Sequence, residues 1–481
     1  MQMIYEISRP GRRGVRLPAC DVPPATPLPE NLLAKEAPEL PEVSELDMVR
    51  HFTNLSLRNF SVDTNFYPLG SCTMKYNPKA LEEAAGLFAS THPMTAFLPG
   101  GDNFVQGSFE LIHELGKLLA EITGMAEVCT HPLAGAHGEM TGIMLISAYH
   151  RAKGNKKKYV IVPDSSHGTN PASAAMMGYE IITVPTAPYG DMDLELFKEA
   201  MNDEVAAVMM TCPNTLGLFN PHIGEICDIA HKSDALVYYD GANLNAIMGR
   251  VRPGDVGFDV VHLNLHKTFG TPHGGGGPGS GPIGVKRALL PFLPTPRIAL
   301  KANGSYGLQT ERDRPHSIGR VTSFFGNFGV LVRAYAYITM LGREGLIHVS
   351  EQAVLNANYI LSRLKSHYDL PYDQTCMHEC VLSASRQLKH GVHAIDIAKY
   401  LIDKGFHPPT VYFPLNVKEA IMIEPTETES KETMDAFIEA MIEAAEIAEK
   451  DPEKLRQAPL TMPVSRLDET KAAREQNVCL G

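Results

Sequence analysis

The sequence has 481 residues, 44% hydrophobic and 20% charged, the composition of an ordinary globular protein long enough for two or three domains. Lys and Arg number 43 against 55 Asp and Glu, and the net charge of −12 argues against nucleic acid or an anionic membrane as the main partner. No apolar run reaches the roughly 18 residues of a membrane span, the opening MQMIYEISRPGRRGVRLP lacks the apolar stretch of a secretory signal, and eight cysteines without paired spacing suit a reducing cytoplasm.

In chain order, residues 1–45 come first and are rich in proline, which removes backbone donors and favours extended chain, so an arm lying over another surface is expected. Residues 62–78, VDTNFYPLGSCTMKYNP, have neither helical nor strand period and read as a loop, with Ser71, Cys72 and Thr73 beside Lys75. From about 90 to 330 short apolar runs alternate with helical patterns. YVIVP (159–163), EIITVP (180–185), VAAVMMT (205–211), ALVYYD (235–240) and DVVHLNL (259–265) suit strands buried on both faces of a mostly parallel sheet. Asp193 is placed to cap a helix bearing Leu194, Phe197 and Met201, and 222–233 carries apolar residues at helical spacing. Such alternation predicts α/β layering.

After about 330 the texture changes. Helical patterns run from 327 to 368, CVLSAS and AIMIEP read as strands around a helix at 393–404, and a last amphipathic helix follows Ser430, with Glu429 and Glu432 near its start to match the helix dipole. The expected organisation is an arm and loop (1–90), a large α/β domain (91–330), a smaller α+β domain (331–450) and a polar surface tail (451–481). Cys376 and Cys380 bracket His378, but no second Cys/His pair lies nearby to complete four zinc ligands, and no metal is expected.

The strongest chemical signal is DVVHLNLHKTFGTPHGGGGPGSGPIGV (259–285). A strand ends in His266-Lys267-Thr268 and passes into a segment with six glycines between Gly274 and Gly281. A lysine just beyond a buried strand is partly desolvated, which favours the neutral amine that imine formation needs. Glycines let backbone N–H groups approach a ligand. Asp240 closes the strand ALVYYD, at the end where open α/β sheets bind ligands, and a carboxylate there can keep a pyridine nitrogen protonated; alone it reads as a helix cap. Ala242 is small enough for a ring to lie against it. In HPLAGAHGEMTG (131–142), Ala134, Gly135 and Ala136 precede a helical pattern, which places free N–H groups and the positive dipole end where a phosphate can dock. His167 follows a predicted strand in VPDSSHGTNPAS, where it could stack on a cofactor ring or serve only as a loop residue.

Together, PLGSCTMKYNP, LAGAHGE, DSSHGTNPASA, DGANLNA and LNLHKTFGTPHGGGGPGSGPIGV closely resemble the P-proteins of the glycine cleavage system, the decarboxylating glycine dehydrogenases, from about residue 50 to 450. The length resembles the half that keeps the lysine where that protein is split in two. The resemblance implies a pyridoxal 5'-phosphate (PLP) enzyme of the fold-type I transferase class. It implies Lys267 as the Schiff-base lysine, Asp240 at the pyridinium nitrogen, Ala242 and His167 on the two ring faces, and Gly135, Ala136 and His266 at the phosphate. It implies decarboxylation of glycine, transfer of the aminomethyl group to a lipoylated H-protein, and an α2β2 assembly with a subunit 1. A different PLP decarboxylase, an aminotransferase using Arg320 or Arg333 as a carboxylate clamp, or a non-catalytic subunit are the competing expectations.

Overall fold

Seven short strands form the main sheet: β1 Glu127–Cys129, β2 Tyr159–Pro163, β3 Glu180–Val184, β4 Val205–Thr211, β5 Leu236–Gly241, β6 Val260–Leu263 and β7 Ile283–Val285. They appear in a computed structural model that describes residues 2–36 and 38–477. The order is β1-β7-β6-β5-β4-β2-β3. β2 to β6 pair in parallel, whereas β7 runs antiparallel to both β6 and β1. The five strands read from apolar runs all form, within a residue or two of the expected ends.

Their unbroken apolar character has a direct cause. In β4, Ala207 and Met209 pack with Ile143 and Ile146 on one face of the sheet, while Val208 and Met210 pack with Phe109 and Ile226 on the other. A strand covered on both faces has no solvent side to mark with polar residues.

Asp193 caps the helix Leu194–Ala200 by accepting from the N–H groups of Glu195 and Leu196, as its position predicted. The long helical pattern forms Phe328–Leu364, broken at Gly342, whose φ of +62° interrupts the helical backbone. Before the break it buries Phe328, Leu331 and Val332 against the main sheet's core; its last turns bury Ala357, Ile360 and Leu364 in a second core. That second core is shared with the small antiparallel sheet, whose strands are β10 Cys380–Ser383, β11 Thr410–Val411 and β12 Ala420–Ile423, and with the helices Ala394–Asp403 and Lys431–Lys450. A two-stranded hairpin, β8 Arg297–Leu300 and β9 Tyr306–Gln309, precedes it in the chain.

Two expectations change here. Glu429 stands before the Ser430 cap, and burial pushes its carboxyl up to about 7, so desolvation and not the helix dipole governs it. Past residue 450, Pro452–Gln457 forms another helix that buries Leu455, and Arg466 reaches Asp396 at 2.7 Å. The expected surface tail is thus anchored at its start, while nearly all of 460–477 is exposed.

Residues before Asn65 form a unit of their own. The proline-rich stretch turns back so that Arg9 N–H donates to the Glu42 carbonyl at 2.9 Å. It leads into a helix the sequence reading passed over, Glu45–Ser56, started by a Ser44/Asp47 capping box.

Candidate active site

The carboxyl ends of the parallel strands open into a cavity of about 200 Å³. Lys267, Asp240, Ala242, His167, Gly135 and Ala136 all line it. Six of the seven residues singled out from sequence therefore meet at one place.

Lys267 sits in the short helix Leu265–Thr268 directly after β6. Its Nζ donates to the Ser71 carbonyl at 2.6 Å. Ser71 and Thr73 adopt φ of +64° and +49°, a conformation that non-glycine residues hold only when their surroundings fix it. Those surroundings are carboxylates. Glu379 accepts from Ser71 N–H at 2.7 Å, and Glu424 accepts from Thr73 N–H at 3.1 Å and from its hydroxyl at 2.5 Å. Lys75, buried, donates to Glu427 at 2.7 Å, to Tyr337 Oη at 3.0 Å and to the Thr268 carbonyl at 2.7 Å. The segment Ser71–Lys75, which resembled the family's active-site loop but had no roles assigned within it, is thus tied to Thr268 beside the lysine and to acids flanking the small sheet's strands.

Asp240 ends β5 and is buried. Its Oδ2 accepts from Asn170 Nδ2 at 3.0 Å and its Oδ1 from Ala242 N–H at 3.1 Å, while His262 Nε2 lies 3.3 Å away, off line for a hydrogen bond. Burial alone would push this carboxyl up; His262, Asn170 and the Ala242 N–H outweigh it and hold it below the usual range. The same Asn170 amide donates to Glu139 at 2.9 Å. Glu139 is raised, first by burial and then by Asp240. The two acids are thereby driven apart, with Asp240 the ionised one.

Gly135 and Ala136 open the helix Gly135–Lys153, whose N-cap Ala134 offers no side-chain acceptor, so the first N–H groups face the cavity uncapped. A Cβ at position 135 would come within 2.7 Å of the Asn264 amide. His167 keeps its Nδ1 turned to Thr169, 2.8 Å from the hydroxyl. Crowding by protein pushes its pKa down, partly offset by Asp240.

His266 is the exception. Its Nδ1 accepts from Ser280 N–H at 3.1 Å, and its ring faces the glycine-rich segment, away from the cavity wall. Arg320 and Arg333 also stay away: they pair with Glu311 at 3.4 Å and Glu82 at 2.6 Å. The sequence reading missed Glu139, Asn170, Asn264, His378 and Glu379. Glu139 and Asn170 lay inside the quoted motifs, but nothing in their spacing announced a role.

This sheet order, with the cavity at the strand ends, is the fold of the PLP fold-type I enzymes. A glycine decarboxylase (P-protein) of the glycine cleavage system, solved in inhibitor-bound form, superposes with a TM-score of 0.71 over 86% of this chain and 93% of its own, at 21% identity. A cysteine desulfurase from Escherichia coli does so with a TM-score of 0.62 over 80% and 96%, at 16% identity. Residues 349–462 match the family model for the glycine dehydrogenase C-terminal domain. The chain is 58% identical over 479 residues to glycine dehydrogenase (decarboxylating) subunit 2 of Halalkalibacterium halodurans, covering 98% of this chain and 96% of that one. It is 56% identical over 481 residues to that of Listeria monocytogenes, covering 99% and 97%. The chain belongs to the glycine dehydrogenase (decarboxylating) subunit 2 family.

Proposed function

We propose that this chain is the PLP-bearing half of a two-subunit enzyme that decarboxylates glycine and passes the remaining aminomethyl carbon to the lipoyl disulfide of a carrier, the H-protein. One observation carries the reading: the Lys267 amine projects into the strand-end cavity that the buried, ionised Asp240 also lines.

The residues present fit the cofactor. Thr211 Oγ1 and Asn264 Oδ1, both on the cavity wall, are buried without a hydrogen-bond partner among the described residues. Groups left so cost free energy unless a ligand satisfies them. PLP, when bound, supplies an aldehyde for an amine to join and a ring that accepts the electrons of a broken bond. Lys267 would hold the aldehyde carbon. Asp240 would keep the proton on the ring nitrogen, held in place by Asn170 and the Ala242 N–H. Ala242 leaves one ring face clear, and His167 would cover the other. The uncapped N–H groups of Gly135 and Ala136 would take the phosphate. His266 would brace the glycine-rich segment through Ser280.

The Ser71 carbonyl orients the Lys267 amine. The family name implies a partner, subunit 1, and we place the pair in an α2β2 assembly in the cytoplasm. Among the described residues no helix is long and apolar enough to cross a membrane. The test is glycine-dependent CO2 release by the assembled pair with lipoylated carrier. Activity toward another amino acid without the carrier would point to a different PLP enzyme, and no activity with either would leave a non-catalytic subunit.

A further inference from the structure

Two glutamates from the small antiparallel sheet, Glu379 just before β10 and Glu424 just after β12, hold the loop residues Ser71 and Thr73 at the site. Both are buried, and an oxygen of each lies within 4.8 Å of the other and of a His378 ring nitrogen. Two carboxylates this close and this dry do not both ionise.

Their hydrogen bonds show where the shared proton resides. Glu424 accepts from four donors: Thr73 N–H, the Thr73 hydroxyl, Asn245 Nδ2 at 3.0 Å and Asn243 Nδ2 at 3.4 Å. That environment makes Glu424 the first of the pair to give up its proton. Among the described residues Glu379 accepts only from Ser71 N–H, with His378 Nε2 3.8 Å from its other oxygen. Glu379, and not Glu424, lines the cavity beside Lys267.

The proposed reaction has a use for that proton. Glycine as its zwitterion plus a disulfide yields CO2, an aminomethyl thioether carrying an ammonium group and a free thiol, and the balance requires one added proton. Resting on that reading, we propose that Glu379 is the general acid that protonates the sulfur released when the carrier's disulfide opens. A C–S bond forms to one sulfur as the S–S bond breaks. The second sulfur leaves with the electron pair and takes the proton from the Glu379 carboxyl, which solvent later refills.

The surroundings leave the neighbouring histidine a poor donor. His378 accepts from Asn243 Nδ2 at 3.1 Å, and burial, with Lys267 next, pushes its pKa down to about 3, so it is neutral. His167 is exposed and keeps its Nδ1 turned to Thr169. Burial, then Glu424, drives Glu379 well above the usual carboxylate range, while the Ser71 N–H, Lys267 and the buried Cys376 act more weakly. Glu424 rises less, to about 7.

The experiment uses the assembled two-subunit enzyme, loaded with cofactor, in wild-type and Glu379→Gln form. Glutamine keeps an oxygen to accept the Ser71 N–H and cannot give up the proton. Carrier-dependent kcat should fall by about 10²–10⁴-fold, the scale of a general acid, with a far smaller change in the glycine KM. Wild-type turnover should decline as alkaline pH removes the proton, a limb absent from Glu379→Gln, and Glu379→Asp should recover part of the rate. Infrared spectroscopy should find a buried carboxylic-acid stretch in the wild type that Glu379→Gln lacks. Full turnover in Glu379→Gln, or an unchanged infrared band, overturns the assignment. Failure of the wild type to release CO2 with the carrier would instead strike the proposed function, and the infrared comparison would still decide whether Glu379 holds the proton.

Discussion

Lys267 and Ser71 are 196 positions apart in the chain, yet the lysine Nζ donates to the serine carbonyl at 2.6 Å. Ser71 keeps its left-handed backbone because Glu379 holds its N–H, and Thr73 keeps its own because Glu424 grips both its N–H and its hydroxyl. The position of the reactive amine therefore depends on acids of the small sheet as well as on the strand that delivers it.

Lys267→Ala should abolish the imine absorbance of the cofactor-loaded protein. Borohydride reduction followed by peptide mapping should label the wild type at position 267 alone. A label on Lys75 would overturn the assignment, although that lysine is already committed to Glu427, Tyr337 and the Thr268 carbonyl.

Asp240→Ala should lower glycine-dependent turnover by about 10²-fold or more, the loss expected for one positioned electrostatic group. Asn170→Ala tests the same feature from further out. Its amide bridges Glu139 and Asp240 at 2.9 and 3.0 Å. Without it two buried acids face each other with less to separate their affinities for protons. Turnover should fall by about tenfold, the low end for removing a group that only orients another. Unchanged turnover in both variants would remove Asp240 from the chemistry.

How much of this was legible in the sequence follows from which interactions are local. β4 and β5 were readable because side chains on both faces are buried, so the runs stay apolar until Thr211 and Asp240 near their ends. Lys267 and the glycines carried a signal that a surface lysine and a linker could equally give, and Asp240 and the Gly135 turn were what tipped it. The roles of Glu379 and Glu424 were hidden: each lies next to a short strand, 308 and 351 positions from the loop residue it holds, and only the fold brings them together. His266 misled for the converse reason. It adjoins Lys267 in sequence, but a helical turn swings its ring toward Ser280. The helix Glu45–Ser56 escaped notice beside a proline-rich stretch, although Ser44 and Asp47 were a capping-box pattern in plain view.

Lys75→Met should destabilise the protein by about 3–5 kcal/mol, because it strands the Glu427 carboxylate in a buried place. The two side chains meet at 2.7 Å with 1% and 8% of their surfaces exposed. The double variant Lys75→Met/Glu427→Gln removes both charges and should recover most of the loss. Denaturant titration of the four proteins measures the coupling, and additive losses would show that the pair does not act as a unit.

Stability should be greatest slightly below neutral pH and should decline as pH rises through about 7. Burial raises Glu424 and Glu429 to about 7 and Asp191 to about 6. A carboxyl with a raised folded pKa binds more protons folded than unfolded between its two pKa values, so its contribution is fully present below the unfolded value, near 4. That contribution is lost as pH climbs through the folded value. Buried histidines pull the other way. His131 and His266 are lowered to about 4 and His378 to about 3, all chiefly by burial. Between those values and about 6.5 the unfolded chain binds more protons, so their contribution grows as pH rises and levels off above that range. Only the carboxylates still change above it, which fixes the sign of the slope there. Thermal unfolding of the cofactor-free chain across neutrality checks this: a midpoint that rose from pH 7 to 8 would mean that these acids are ionised in the folded protein and that the dry setting assigned to Glu424 is wrong.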